Sequence, residues 1–208
     1  MSFGLVKHNN NSISAITSAG SLAQGKMTLL QTQTASSSSS VDFTSNIDST
    51  YPIYVFKIIN AHPSSDDVKL NVNFRDGGSN FDATKTTTAF AAGHYENDSA
   101  YVLQYETTKD LAQSTSKQPI QINIFKGSVN DASVCTTLHL FNPSSTTFVK
   151  HFLVRSVNMG NDGSNAFVDD NYFAGYCNVT AAIDGVRFEM DSGNIDSGTF
   201  KLYGIKGS

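Results

Sequence analysis

Five histidines (His8, His62, His94, His139, His151), two cysteines (Cys135, Cys177) and two adjacent carboxylate pairs (Asp66-Asp67, Asp169-Asp170) are the side chains of this sequence best suited to chemistry. None stands at a spacing that makes a site. No HExxH or close His pair occurs, so zinc ligands do not converge locally. There is no GxSxG turn to expose a nucleophilic serine and no glycine-rich phosphate loop ending in Lys-Ser/Thr. Neighbouring residues on a strand point to opposite faces, so the paired aspartates are not a glycosidase acid–base pair. The oxygen-rich segments Asp76 to Asp82 and Asn158 to Asp170 lack the spacing of an EF-hand loop with its closing Glu. The motifs at Asn10, Asn97 and Asn178 match glycosylation acceptors but have no secretory context. The expectation is a protein that is not an enzyme, with no catalytic residue, cofactor or metal.

Strands, not helices, would have to position any surface this chain uses. Its 208 residues suit one all-β domain, or one domain with an arm. Hydrophobic residues make up 39% and aromatics 11%, enough for a core without disulfides. Charged residues are only 15%, so Ser, Thr, Asn and Gln must supply the polar surface. The net charge of -4 and the lack of a basic run give no nucleic-acid footprint. No apolar stretch is long enough to span a membrane. The start MSFGLVKHNNNSIS lacks the charged n-region and apolar h-region of a signal peptide, so folding in a cytosol is expected. The cysteines are then expected to be free and buried.

Residues 1–25 are weakly patterned and read as an extended arm; residues 26–208 read as a β-sandwich domain. Met27–Thr34 predicts a half-exposed strand, and Tyr51–Asn60 is apolar on both faces, as for a buried strand ended by Pro63. Val68, Leu70, Val72 and Phe74 alternate with polar residues, predicting a half-buried strand before the Asp76-Gly77-Gly78 turn. Further strands are predicted at 84–91, 101–105, 136–141, 148–157 and 172–178, with another through Ile120, Ile122 and Ile124. Residues 110–116 read as a loop or short helix, and 158–170 as a polar loop. Val186, Phe188 and Met190, then Phe200 and Leu202, predict a terminal hairpin. About ten short strands without a 3.6-residue stripe indicate an all-β, antiparallel β-sandwich or jelly roll with an extended N-terminal arm.

The five serines Ser36–Ser40 resemble a linker. A linker needs a folding unit on each side, and residues 1–34 hold one strand at most, which cannot fold alone. They are therefore expected to be a turn or irregular strand edge within one body.

Three stretches, TQTASSSSSVDFTSNIDSTYPIYVFKIINAHP (32–63), LHLFNPSSTTFVKHF (138–152) and DGVRFEMDSGNIDSGTFKLYGI (184–205), with KTTTAF (85–90), are similar to virion structural proteins of marine bacteriophages, notably those of cyanobacteria. The resemblance implies a particle component and carries over no site residues. The expectation is a non-enzymatic capsid decoration (cement) protein: a C3 homotrimer tied through its arm to the major capsid protein or another virion protein. It would be assembled in host cytoplasm and located in the virion, without nucleic-acid or membrane partners. A tail, neck or fibre component is the alternative. A glycan-binding receptor module would need an aromatic platform, for which Tyr95, Tyr101 and Tyr105 are candidates, although core packing accounts for them more simply.

Overall fold

The computed structural model describes residues 27–123, 130–161 and 165–206. The proposed arm 1–25 lies outside them. The chain folds as an antiparallel β-sandwich of unequal sheets. In chain order the strands are β1 (Met27–Ser38), β2 (Val41–Phe43), β3 (Ile53–Pro63), β4 (Leu70–Arg75), β5 (Lys85–Tyr95), β6 (Tyr101–Tyr105), β7 (Gln118–Pro119), β8 (Ser133–Phe141), β9 (Lys150–Asn161), β10 (Ala166–Cys177), β11 (Gly185–Met190) and β12 (Ile195–Ile205). A 3-10 turn spans Thr107–Lys109, and the described residues contain no α-helix. The large sheet runs β1-β12-β3-β8-β9-β10-β5-β6; the small one runs β2-β11-β4-β7.

The sheets meet through aromatic side chains. Phe43 of β2 packs edge-on against Phe56 of β3 at 5.3 Å, and Phe188 of β11 lies 5.7 Å from Phe200 of β12. Phe74 of β4 approaches Phe152 of β9 at 4.8 Å. These rings are buried in one core cluster shared by both sheets. The burial of apolar area there, at roughly 25 cal/mol per Å², is the main stabilising term.

The serine run belongs to this body. Ser36 and Ser38 close β1, opposite Ser197 and Ile195 of β12, and Ser39 and Ser40 carry the chain to β2 in the other sheet. Ser37 has a φ of 49°, in the left-handed region where the chain bends.

Several expectations are corrected. The segment 158–170 is not a loop: β9 continues to Asn161 and β10 begins at Ala166, in register with Phe167 opposite Gly160. Its inward residues Ser156, Asn158, Asp169 and Asn171 are polar and buried, so no alternation of apolar residues announced the strands. Asn171 holds part of this cluster together: its Nδ2 donates to Asn158 Oδ1 at 2.8 Å, and its Oδ1 accepts from Ile122 N at 2.9 Å. The isoleucine strand is likewise absent at Ile120 and Ile122; β7 is only Gln118–Pro119, and Ile124 lies outside the described residues. Gln121 is buried with its neighbours because its Oε1 accepts from Leu70 N at 3.2 Å and its Nε2 donates to Asn123 O at 2.9 Å.

β11 and β12 form no hairpin. β11 pairs with β2 and β4, whereas β12 pairs with β1 and β3, so residues 191–194 carry the chain between sheets. On β4 the polar residues are not solvated: Asn71 and Asn73 are buried, with Asn71 Nδ2 donating to Asp191 Oδ1 and Asn73 Nδ2 to Thr115 O.

Candidate functional site: the outer face of the large sheet

Strand register determines which side chains share the outer face. Reading across the large sheet, Lys201 of β12 stands opposite Lys57 of β3, and Lys57 opposite Thr137 of β8. Thr137 faces Arg155 of β9, and Arg155 faces Tyr172 of β10. Tyr172 faces Phe90 of β5, which faces Tyr105 of β6. One continuous row therefore runs from two lysines to three aromatic rings. Except in the edge strand β6, the opposite sides of these strands point into the core.

The row is internally bonded. Arg155 makes two hydrogen bonds to Asp170, at 3.0 and 2.8 Å, and its guanidinium sits 5.2 Å over the Tyr172 ring. Tyr172 stacks on Phe90 at 4.7 Å, with the rings 2° from parallel. Tyr105 donates to Asp110 Oδ2 at 2.5 Å and accepts from Thr88 Oγ1 at 3.2 Å. The hydrogen bonds from Arg155, followed in weight by the opposing effect of burial, leave the Asp170 carboxyl below its ordinary pKa.

Around the row the face is apolar and open. Ile59, Leu153, Val157 and Val168 are exposed, and a groove of about 830 Å³ runs over β3, β8, β9, β10 and β5. Lys57, His139, Leu153 and Tyr172 are among its lining residues. Partial burial, with the nearby Lys57 charge, lowers the His139 pKa. Beyond the groove, β6 forms the edge strand, with Tyr101 84% and Leu103 79% exposed. Patches of this kind mark interaction surfaces.

The aromatic residues weighed in the sequence take different places. Tyr101 and Tyr105 are exposed on the outer face, so core packing does not account for them. Tyr95 is half-buried against Phe167 at 5.5 Å. Phe90 and Tyr172, stacked on this face, carried no local signal, because their pairing depends on β5 and β10 being neighbours.

The residues with catalytic or ligating chemistry are scattered. His62 Nδ1 lies 2.5 Å from Ala132 O, His94 pairs with Asp98 at 3.1 Å, and His151 contacts the Tyr176 ring. His8 and the Asn10 motif are outside the described residues. Asn97 and Asn178 are hydrogen-bonded to Asn165 and Gln113. Among the described residues, no three His, Cys, Asp or Glu side chains are grouped to hold a metal, and no helix is long and apolar enough to cross a membrane.

Asp169 and Asp170 point to opposite faces, as strand geometry requires. Burial raises the Asp169 pKa, countered by the hydrogen bond from Asn123. Both cysteines are free thiols on opposite faces. Cys135 lines the groove, half-buried rather than buried as expected, whereas Cys177 is buried in the core. Cys177 stands opposite Lys85 on β5 and Lys150 on β9, all three without solvent exposure. Burial pushes the Cys177 thiol up to about 12 and Lys85 down to about 8. Lys85 Nζ donates to Ala83 O at 3.0 Å and Lys150 Nζ to Val179 O at 2.6 Å, which makes these ammoniums part of the sandwich's internal bonding.

No protein-family model matches the chain, and no curated protein matches it. A solved structure described as "Structure of infectious bursal disease virus Gx strain" aligns over 85% of this chain and 41% of its own, at 11% identity. Its TM-score of 0.17 carries no argument about fold or function.

Proposed function

We propose that this chain is a non-enzymatic structural component of a bacteriophage particle that works by protein–protein contact. The observation supporting this reading is the outer face of the large sheet, a broad, ordered and largely apolar surface on a body whose core is already complete. Its Tyr, Phe and Arg content is the composition enriched at protein interfaces. The sparing use of charge across the chain suits a body covered in part by neighbours.

Within this reading the protein is a capsid decoration (cement) protein and a homo-oligomer, with three copies the arrangement expected for such components. Residues 1–25 would reach the major capsid protein or another virion protein. A neck, tail or fibre position is the alternative and would use the same surface. Receptor glycans are less well served. A sugar stacks on a free ring face, and the Tyr172 ring already contacts Arg155 and Phe90.

Gold-label electron microscopy of intact virions, with an antibody against residues 191–205, tests the assignment. Label spread over the head is the expected result. Label confined to one vertex or the tail moves the protein to the neck or fibre, and virions free of label overturn the particle reading. Deleting residues 1–25 is expected to abolish attachment and leave the folded body intact; normal decoration by the truncated protein rejects the arm's role.

A further inference from the structure

We infer that the outer face is a self-association surface in which β6 of one copy seats in the groove of a second copy. This deepens the particle reading and rests on it only for its biological setting. Three observations point to the same occupant.

The first is that the chain carries both halves of the contact. β6 projects Tyr101 and Leu103, at 84% and 79% exposure, from the sheet edge. The groove offers Leu153, Val157 and Ile59 on the same face. An edge strand that presents unpaired backbone and large apolar side chains is normally blunted or covered. Nothing in the row of Tyr101, Val102 and Leu103 blunts it, since this stretch has neither charge nor proline.

The second is charge. The ends of the face differ in sign. Lys57, with Lys201 opposite it, flanks the groove side, while Asp110, which accepts a hydrogen bond from Tyr105 on the outer face, flanks β6. Arg155 adds little to the basic side because Asp170 already pairs with it. A second copy placed with β6 over the groove brings unlike charges together at the rim, the arrangement that sets register and discriminates against wrong partners.

The third is rigidity. Arg155, Tyr172, Phe90 and Tyr105 are already locked by stacking and hydrogen bonds, so little side-chain entropy is lost when they are covered. A two-fold pair forms the contact twice, because groove and β6 lie on one face; a three-fold ring forms it head to tail. Either arrangement seats the same residues.

Light scattering and sedimentation equilibrium on the purified full-length chain test this directly. The wild type is expected at two or three times its 22.4 kDa. Leu103→Glu on β6 and Leu153→Glu in the groove are each expected to weaken association about 30-fold or more, as central interface residues do. Far-UV circular dichroism of each variant should match the wild type. Lys57→Glu should weaken association about tenfold, and adding Asp110→Lys should restore most of it.

A wild type that stays monomeric over its soluble range overturns the proposal. So does an oligomer indifferent to both leucine substitutions while folded. A protein that labels virions but is monomeric would remove this contact and leave the particle reading standing. An oligomer with these dependencies that is absent from virions would do the reverse.

Discussion

Phe90 and Tyr172 lie on neighbouring strands of the large sheet, opposite one another, with ring centroids 4.7 Å apart and planes 2° from parallel. The pair is partly exposed, yet it is the best-aligned aromatic contact in the described molecule. It couples β5 to β10 on the face that the core does not hold. Phe90→Ala is expected to destabilise the protein by about 1–2 kcal/mol, from lost burial and stacking. A double-mutant cycle with Tyr172→Ala, followed by urea unfolding, should give a coupling of about 1 kcal/mol. Strictly additive effects would mean that the rings are adjacent without supporting each other.

Lys85 should make stability depend on pH. Burial lowers its pKa to about 8 in the folded chain, against an ordinary lysine value near 10.5. Between these values the unfolded chain holds a proton that the folded chain has released. Stability contributed by this group therefore rises with pH through the window, by up to about 1.4 kcal/mol per unit. Lys150, also lowered by burial, acts in the same sense. Cys177, raised to about 12, opposes them once the unfolded thiol ionises near 9. The net rise is thus expected between pH 8 and 9. Lys85→Met should flatten much of it and raise the urea midpoint at pH 7, because a buried charge gives way to an apolar chain of similar length. An unchanged slope in that variant would show that Lys85 is not the titrating group.

The two thiols should differ sharply in reactivity. Cys135 is half-buried in the groove, whereas Cys177 is in the core with its thiol held protonated. A disulfide-exchange reagent at pH 8 is expected to label Cys135 in the native protein and Cys177 only after unfolding. Rapid labelling of both thiols under native conditions would contradict the packing around β10.

Gly198 is a point where the backbone itself excludes a side chain. Its φ is +141°, and a Cβ there would come 2.9 Å from the Ala61 Cα, where β12 shifts register against β3. Gly198→Ala is expected to cost about 2–3 kcal/mol, from conformational strain and from displacement of β3. At Gly77, also at positive φ (+102°), nothing lies within 4 Å, so Gly77→Ala should cost only about 1 kcal/mol. Thermal unfolding of the two variants separates strain from crowding; equal losses would mean that the Ala61 contact contributes nothing.

The alternation of apolar residues identified the class and much of the strand list. Val55 and Phe56 on β3, and Val186 and Phe188 on β11, stand where the pattern places them, and the serine run is part of the body because β1 carries it against β12. Two strand ends stayed hidden because their inward residues are polar. Asn158 and Asp169 read as loop residues until Asn171 and Asn123 are seen to bond them.

By itself the sequence determined that this chain is all-β, antiparallel and without a local catalytic or metal-binding motif, because side-chain period and motif spacing are properties of consecutive residues. Strand partnership was decided only by the tertiary structure. Local pattern says that β11 and β12 are strands, but not that one belongs to the small sheet and the other to the large. The outer face has the same origin. Lys57, Arg155, Tyr172, Phe90 and Tyr105 come from five strands scattered along the chain, and hydrogen-bonded register alone brings them into one row.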